Sequence, residues 1–119
     1  MARVLIVDDE TDVLETLSVL LRSEGHEVVA VSEGMEAMKK VRSMEHFDLL
    51  VSDIRMAPID GLELLEYARK DRPALAIVVI SAYLDDEVIR RAEELGCSQF
   101  IRKPFKLEDV IFAIHKALR

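Results

Sequence analysis

The chain has 119 residues, 50% hydrophobic and 33% charged, which fits one globular domain with a single core and excludes a disordered chain. The net charge of −7 argues against a nucleic-acid surface, which needs a basic stripe. A single cysteine, Cys97, excludes an internal disulfide and a cysteine-built zinc site, and the lack of a signal peptide or a membrane-length apolar run leads us to expect a cytoplasmic location with no membrane partner.

Strands and helices alternate along the chain. Val4-Leu5-Ile6-Val7 is a short apolar run, β-branched at three of its four positions, and reads as a strand buried on both faces. A helix is expected from Thr11 to Glu24, with Val13, Leu14, Leu17, Leu20 and Leu21 at helical spacing and Gly25 where a terminating glycine belongs. Glu27 to Val31 is a second strand, more polar at its start as an edge strand would be. Ser32 is placed to cap a second helix, Met35 to Arg42, that buries Ala37, Met38 and Val41.

Asp48 to Ser52 is the central strand, and it delivers Asp53 to its carboxyl end. A third helix, Gly61 to Lys70, carries Leu62, Leu64, Leu65 and Ala68 and ends before Pro73. Ala76 to Ile80 is another buried strand. Asp85 or Asp86 caps a fourth helix through Leu95, closed by Gly96. Ser98 to Ile101 is a short fifth strand, and Lys106 to Leu118 is a last helix with Leu107, Val110, Ile111, Ile114 and Leu118 inward. Five strands alternating with five helices through short loops imply an α/β fold, a parallel sheet covered on both faces.

In such a sheet the loops after the strands share one edge, where open α/β sheets bind ligands. Here those loops carry Asp8 and Asp9, Asp53, Ser81, and Lys103 with Pro104. Clustered carboxylates repel one another and call for a cation. A hard oxygen site of this kind suits Mg²⁺, which keeps waters and completes its shell with phosphate oxygens. An aspartate can itself act as a nucleophile toward phosphorus, and an ammonium and a hydroxyl (Lys103 and Ser81) suit the phosphoryl oxygens. Taken singly, each group has an ordinary reading. Asp8, Asp9 and Asp12 also suit a helix N-terminus, Ser81 a loop hydroxyl, Lys103 a turn, and Phe100 the core.

Other chemistries fail on the spacing. There is no G-x-G-x-x-G and no Walker lysine loop. Asp8 to Val19 read as a calcium loop has Val13 where glycine is required and Val19 where glutamate is required. Ser81 lacks the flanking glycines of a nucleophile elbow. His26, His46 and His115 are scattered.

The set Val7-Asp8-Asp9-Glu10, Ser52-Asp53-Ile54-Arg55-Met56, Asp60-Gly61, Ser81-Ala82 and Lys103-Pro104-Phe105 resembles the receiver domain of bacterial two-component response regulators, from Arg3 to about Leu118. The resemblance implies a doubly wound, flavodoxin-like, five-stranded parallel sheet of order 2-1-3-4-5 with five helices, and a single receiver domain over residues 1–119. It implies that Asp53 is the phosphoacceptor, taking its phosphoryl group from a sensor histidine kinase or a phosphotransfer protein. Asp9 would be a direct Mg²⁺ ligand, Asp8 an acid acting through a metal-bound water, and the Arg55 carbonyl a further ligand beside Asp53. Lys103 would contact the phosphoryl group, with a cis bond to Pro104. Ser81 and Phe100 would be the switch pair that passes the signal to the surface of the fourth helix, fifth strand and fifth helix. On this reading the chain is a phosphoacceptor, not a turnover enzyme. It would signal to an output domain or partner protein, with a homodimer through the last helices open and no direct contact with nucleic acid.

The pattern is broken in places. Ala57 stands before Pro58, where receivers often have proline directly after the methionine, and Phe100 replaces a frequent tyrosine. Arg55 and Tyr83 are large residues at positions that in the family flank the phosphoryl group, and we expect them to obstruct hydrolytic water and prolong the phosphorylated form. Two alternatives remain. One is an aspartate-dependent phosphohydrolase, which typically needs Asp-x-Asp where this chain has Asp8-Asp9. The other is a phosphorylation-independent interaction module, against which the complete acid set argues.

Overall fold

A computed structural model describes residues 1–55 and 60–119. The elements alternate as β1 (Arg3–Val7), α1 (Thr11–Ser23), β2 (Glu27–Val31), α2 (Gly34–Arg42), β3 (Leu49–Ser52), α3 (Gly61–Asp71), β4 (Ala76–Ser81), α4 (Asp86–Glu94), β5 (Cys97–Arg102) and α5 (Leu107–Ala117). All five strands lie in one sheet of order β2-β1-β3-β4-β5, and every neighbouring pair is parallel. β2 is the edge strand its polar start suggested.

Side chains alternate across a strand, so each apolar run feeds two cores. Leu5, Val7, Leu50, Ile77 and Val79 point to one face, where Ala37, Val41, Leu64, Leu65, Ala68 and Ala92 of α2, α3 and α4 cover them. Val4, Ile6, Leu49, Val51, Val78 and Ile80 point to the other, under Leu17, Leu21, Val110, Ala113 and Ile114 of α1 and α5. The central strands are apolar at nearly every position because both faces are covered. Truncating one of these fully buried leucines or isoleucines to alanine would cost about 2–5 kcal/mol.

The punctuation agrees with the sequence at Asp85, Gly25 and Gly96, and Asp60 adds a cap the sequence reading did not assign. Asp60 and Asp85 cap α3 and α4, their side chains accepting from the Glu63 and Val88 amides at 2.9 Å. Gly25 (φ 90°) and Gly96 (φ 88°) supply the left-handed residue that follows α1 and α4. Elsewhere it differs. Ser32 does not cap α2, which starts at Gly34 behind Glu33 with no side-chain cap bond. Leu107 is 48% exposed, because α5 begins there and its buried stripe starts at Val110. Asp48 lies outside β3, and its carboxylate accepts the Arg3 amide at 2.8 Å, anchoring the far edge of the sheet. β4 extends to Ser81, making the hydroxyl part of the strand rather than the loop. β5, Cys97–Arg102, runs one residue longer at each end than the expected Ser98 to Ile101, and its pairing with β4 shifts register between Ile77 and Val78.

Candidate functional site

The carboxyl ends of the strands are tied together by main-chain bonds. The Asp53 amide donates to the Val7 carbonyl at 3.1 Å, the Asp8 amide to the Val31 carbonyl at 3.3 Å, and the Lys103 amide to the Ser81 carbonyl at 3.0 Å. Asp8 and Asp53 therefore lie side by side at the ends of β1 and β3. Lys103, two strands away, needs its full four-carbon stem to reach them. Its ammonium lies 2.8 Å from Asp53 Oδ2, 2.9 Å from Asp8 Oδ2 and 2.7 Å from Glu10 Oε1. The Lys103–Pro104 peptide is cis.

Asp8 is fully buried and Asp53 is 4% exposed. Burial pushes the Asp8 carboxyl above its ordinary pKa. The Lys103 ammonium beside it and its bond from the Glu10 amide oppose this, while the charge of Asp53 adds to it. Burial works against the Lys103 charge, but bonds to Asp53, Glu10 and Asp8 outweigh it and hold the ammonium above its usual value. Asp8 Oδ1 accepts the Glu10 amide at 2.8 Å. Asp8 Oδ2 is near Lys103 without the alignment of a hydrogen bond, and it has no other partner among the described residues.

Three carboxylates face one ammonium, so two negative charges stay uncompensated when all are ionised. Oxygens of Asp8, Glu10 and Asp53 all lie within 4.8 Å of one another. A hard, oxygen-only cluster with an orphaned buried carboxylate oxygen fits a divalent cation of the Mg²⁺ type.

Of the residues singled out from sequence, Asp8, Asp53 and Lys103 converge. Asp9 is exposed and lies outside the group of carboxylates within 4.8 Å. Glu10, given no role from sequence, occupies that group instead. Its only signal was its place two residues after Asp8, which a turn folding back on the Asp8 carboxylate converts into proximity. The Arg55 amide donates to Asp53 Oδ1 at 3.1 Å. Ser81 is buried, and its Oγ accepts the Tyr83 amide at 3.0 Å. Phe100 pairs in register with Val79, so it shares the sheet face of Ser81 and packs half-buried against the α2–α3–α4 core. The Ala57-Pro58 departure and Met56 lie outside the described residues.

Gly61 shows how tightly the site is backed. A Cβ there would lie 2.1 Å from the Asp53 carbonyl oxygen and 2.6 Å from the Ile54 Cα, and the Gly61 amide donates to the Ile54 carbonyl at 2.7 Å. Only glycine lets the start of α3 approach the β3 end this closely.

The sequence matches the response regulator receiver domain over residues 4–115. It is 31% identical over 115 residues to the transcriptional regulatory protein ZraR of Klebsiella oxytoca, covering 97% of this chain and 26% of that protein. The chain thus spans about a quarter of that relative's length. Among solved structures it is similar to a CheY-like response regulator receiver domain protein from Methanospirillum hungatei (TM-score 0.94, 32% identity, 99% of this chain and 94% of that one). It is also similar to NtrX from Brucella abortus, solved in complex with ADP (TM-score 0.90, 33% identity, 98% of this chain and 27% of that one). Strand order, converging acid cluster and sequence agree, and the chain belongs to the receiver domain family of response regulators.

Proposed function

We propose that Asp53 is the phosphoacceptor of this receiver domain and that a sensor histidine kinase or phosphotransfer protein is the donor. The observation that carries this reading is the Lys103 ammonium held against Asp53 and Asp8 at the carboxyl edge of the sheet. An Asp53 carboxylate oxygen attacks phosphorus and the P–N bond of the phosphohistidine breaks. Its electron pair stays on the imidazole nitrogen, whose charge solvent exchange balances. The buried position of Asp53 limits competing water, and the Arg55 amide on Oδ1 fixes the rotation of the carboxylate.

Lys103 is poised to leave Glu10 and pair with the phosphoryl oxygens, where charge accumulates. Mg²⁺, when bound, supplies further charge neutralisation at those oxygens. Asp8, Glu10 and Asp53 are its candidate ligands on geometry. Asp9 and the Arg55 carbonyl join that set on the family motif.

The switch reading assigns Ser81 and Phe100 to signal output. The Ser81 hydroxyl accepts from Tyr83 and keeps its own proton free to donate to a phosphoryl oxygen. Drawing it toward Asp53 opens space on the face it shares with Phe100, which biases the α4–β5–α5 surface. That surface suits an output domain, a partner protein or a homodimer, because α5 leaves Phe112 63% exposed and α4 buries only Ala92. No helix among the described residues is long and apolar enough to cross a membrane, and we place the domain in the cytoplasm.

Incubation with acetyl phosphate and Mg²⁺, read by intact mass, tests the central assignment. One phosphoryl adduct in the wild type and none in Asp53→Asn is expected. An undiminished adduct in Asp53→Asn would refute it, and repeated turnover of a phosphate ester would favour a phosphohydrolase.

A further inference from the structure

Among the described residues, Arg55 is a cation at the mouth of the site that does not pair with the clustered carboxylates. The clustered carboxylates go to Lys103. The Arg55 guanidinium instead stacks on the Tyr83 ring, 4.6 Å from its centroid, and among the described residues it makes no ion pair. This contact bridges the loop after β3 to the loop after β4. Tyr83 is 57% exposed, and its second tie is its amide bond to Ser81 Oγ at 3.0 Å. Leu84, the next residue, is held through its carbonyl by Arg102 at 3.1 Å.

We propose that Arg55 and Tyr83 form a clasp released by charge: on phosphorylation of Asp53 the guanidinium leaves the Tyr83 ring and becomes a ligand of the phosphoryl group. The inference rests on the phosphoacceptor reading. Its physical basis is a competition between two partners. A cation over an exposed tyrosine ring is weakly held, whereas a guanidinium on a phosphoryl group makes charge-assisted, bidentate bonds. The Arg55 main chain already touches Asp53 Oδ1, so the side chain starts beside the new charge. Converting the buried Asp53 carboxylate into an acyl phosphate replaces one negative charge by up to two, a net gain of about one, in a site already short of cations.

One event then removes both ties of Tyr83. The ring loses its guanidinium, and the amide loses Ser81 Oγ as that hydroxyl turns to the phosphoryl group. The β4–α4 loop then keeps its buried Leu84, the Leu84–Arg102 bond and the Asp85 cap of α4. Arg55 is thereby a phosphoryl-binding residue and Tyr83 the element it sets free.

Tyr67 and Tyr83 are the only tyrosines and there is no tryptophan, so Tyr67→Phe leaves Tyr83 as the single emitter. Tyr83 emission and its quenching by acrylamide are followed alongside intact mass during incubation with acetyl phosphate and Mg²⁺. In the Tyr67→Phe protein, Tyr83 is expected to become more quenchable in proportion to the adduct. In Tyr67→Phe/Arg55→Gln it is expected to start at the released level and stay there while the adduct forms. In Tyr67→Phe/Asp53→Asn the same additions should leave it unchanged. Full adduct formation with unaltered Tyr83 quenching overturns the clasp and leaves the phosphoacceptor reading standing. So does an undiminished change in the Arg55→Gln protein. Absence of an adduct overturns both.

Discussion

Replacing Gly61 with alanine would set a methyl group 2.1 Å from the Asp53 carbonyl oxygen, 2.6 Å from the Ile54 Cα and 2.9 Å from the Asp53 carbonyl carbon. All three atoms are backbone, so no side-chain rotation relieves the overlap. Either α3 moves off the sheet or the β3 end carrying Asp53 is displaced. Overpacking costs typically about 1–3 kcal/mol, and a clash confined to main chain belongs at the upper end, about 3 kcal/mol. Gly25 calibrates this figure. Its φ is +90° and a Cβ there meets nothing within 4 Å, so Gly25→Ala carries only the left-handed backbone cost of roughly 1–2 kcal/mol. Urea unfolding of both variants separates the two effects, read as midpoint shifts at constant m. Gly61→Ala is expected to lose more stability than Gly25→Ala and to slow adduct formation at Asp53, which Gly25→Ala leaves alone. Equal losses, or normal phosphorylation of Gly61→Ala, would refute the close-approach argument.

Lys103→Met leaves Asp8 and Asp53 buried together without a cation. The metal-free protein should lose about 3–5 kcal/mol, and thermal melts with added Mg²⁺ should recover part of it; a loss that Mg²⁺ does not touch would argue against a cation site here. Mg²⁺ at about 100 times its Kd should stabilise the wild type by about 2.7 kcal/mol, and Asp8→Asn should weaken that effect in the same melts. Hydrogen bonds from Arg3 and Lys40 hold the Glu45 pKa down to about 2 from its ordinary 4.5. Because the folded value is the lower one, that contribution is fully present above the unfolded value and lost as pH falls toward 2. The stability difference between wild type and Glu45→Gln should therefore be greatest above about pH 5 and vanish near pH 2. Removing both large flanking groups in Arg55→Ala/Tyr83→Ala should speed loss of the phosphoryl group, on the order of tenfold for about 1.4 kcal/mol of barrier. Equal decay of the adduct by intact mass would sink that idea.

The fold was legible because it is written in local terms. Runs such as Val4–Val7 and Ala76–Ile80 are apolar at every position, which only a strand covered on both faces needs. Gly25 and Gly96 stop helices by backbone conformation alone. Asp8, Asp53, Ser81 and Lys103 could be picked out because strand ends are a predictable place. Contacts set by the path of a turn or by a long side chain were not legible. Glu10 joins Lys103 because its own amide folds onto Asp8 Oδ1, a turn that its place two residues after Asp8 permits but does not specify. Arg72 caps the end of α2 through the carbonyls of Val41, Ser43 and Glu45, a partnership across about thirty residues that no periodicity encodes. Leu107 was misplaced for the opposite reason. Its spacing fits the α5 stripe, but at the first helical position the sheet is not yet beneath it.

Electrostatics also explain why a single added group can act at a distance here. In the resting domain Lys103 alone answers three carboxylates, and it is held by them above its usual pKa despite burial. That ammonium already carries its full charge, so it has none further to offer and the site responds to new negative charge by moving groups. The groups able to move are those at its rim, since Asp8 and Asp53 are pinned by main-chain bonds to neighbouring strands. Those rim groups are Glu10 and Arg55, and to them is added the buried Ser81 hydroxyl, which can rotate. Two of the three are tied to the loop between β4 and α4, through the Tyr83 ring and the Tyr83 amide. α4, which that loop leads into, buries a single residue and is the helix least anchored by apolar burial. Under the proposed clasp, a change in charge at Asp53 would reach the least anchored helix through the Arg55–Tyr83 and Ser81–Tyr83 contacts.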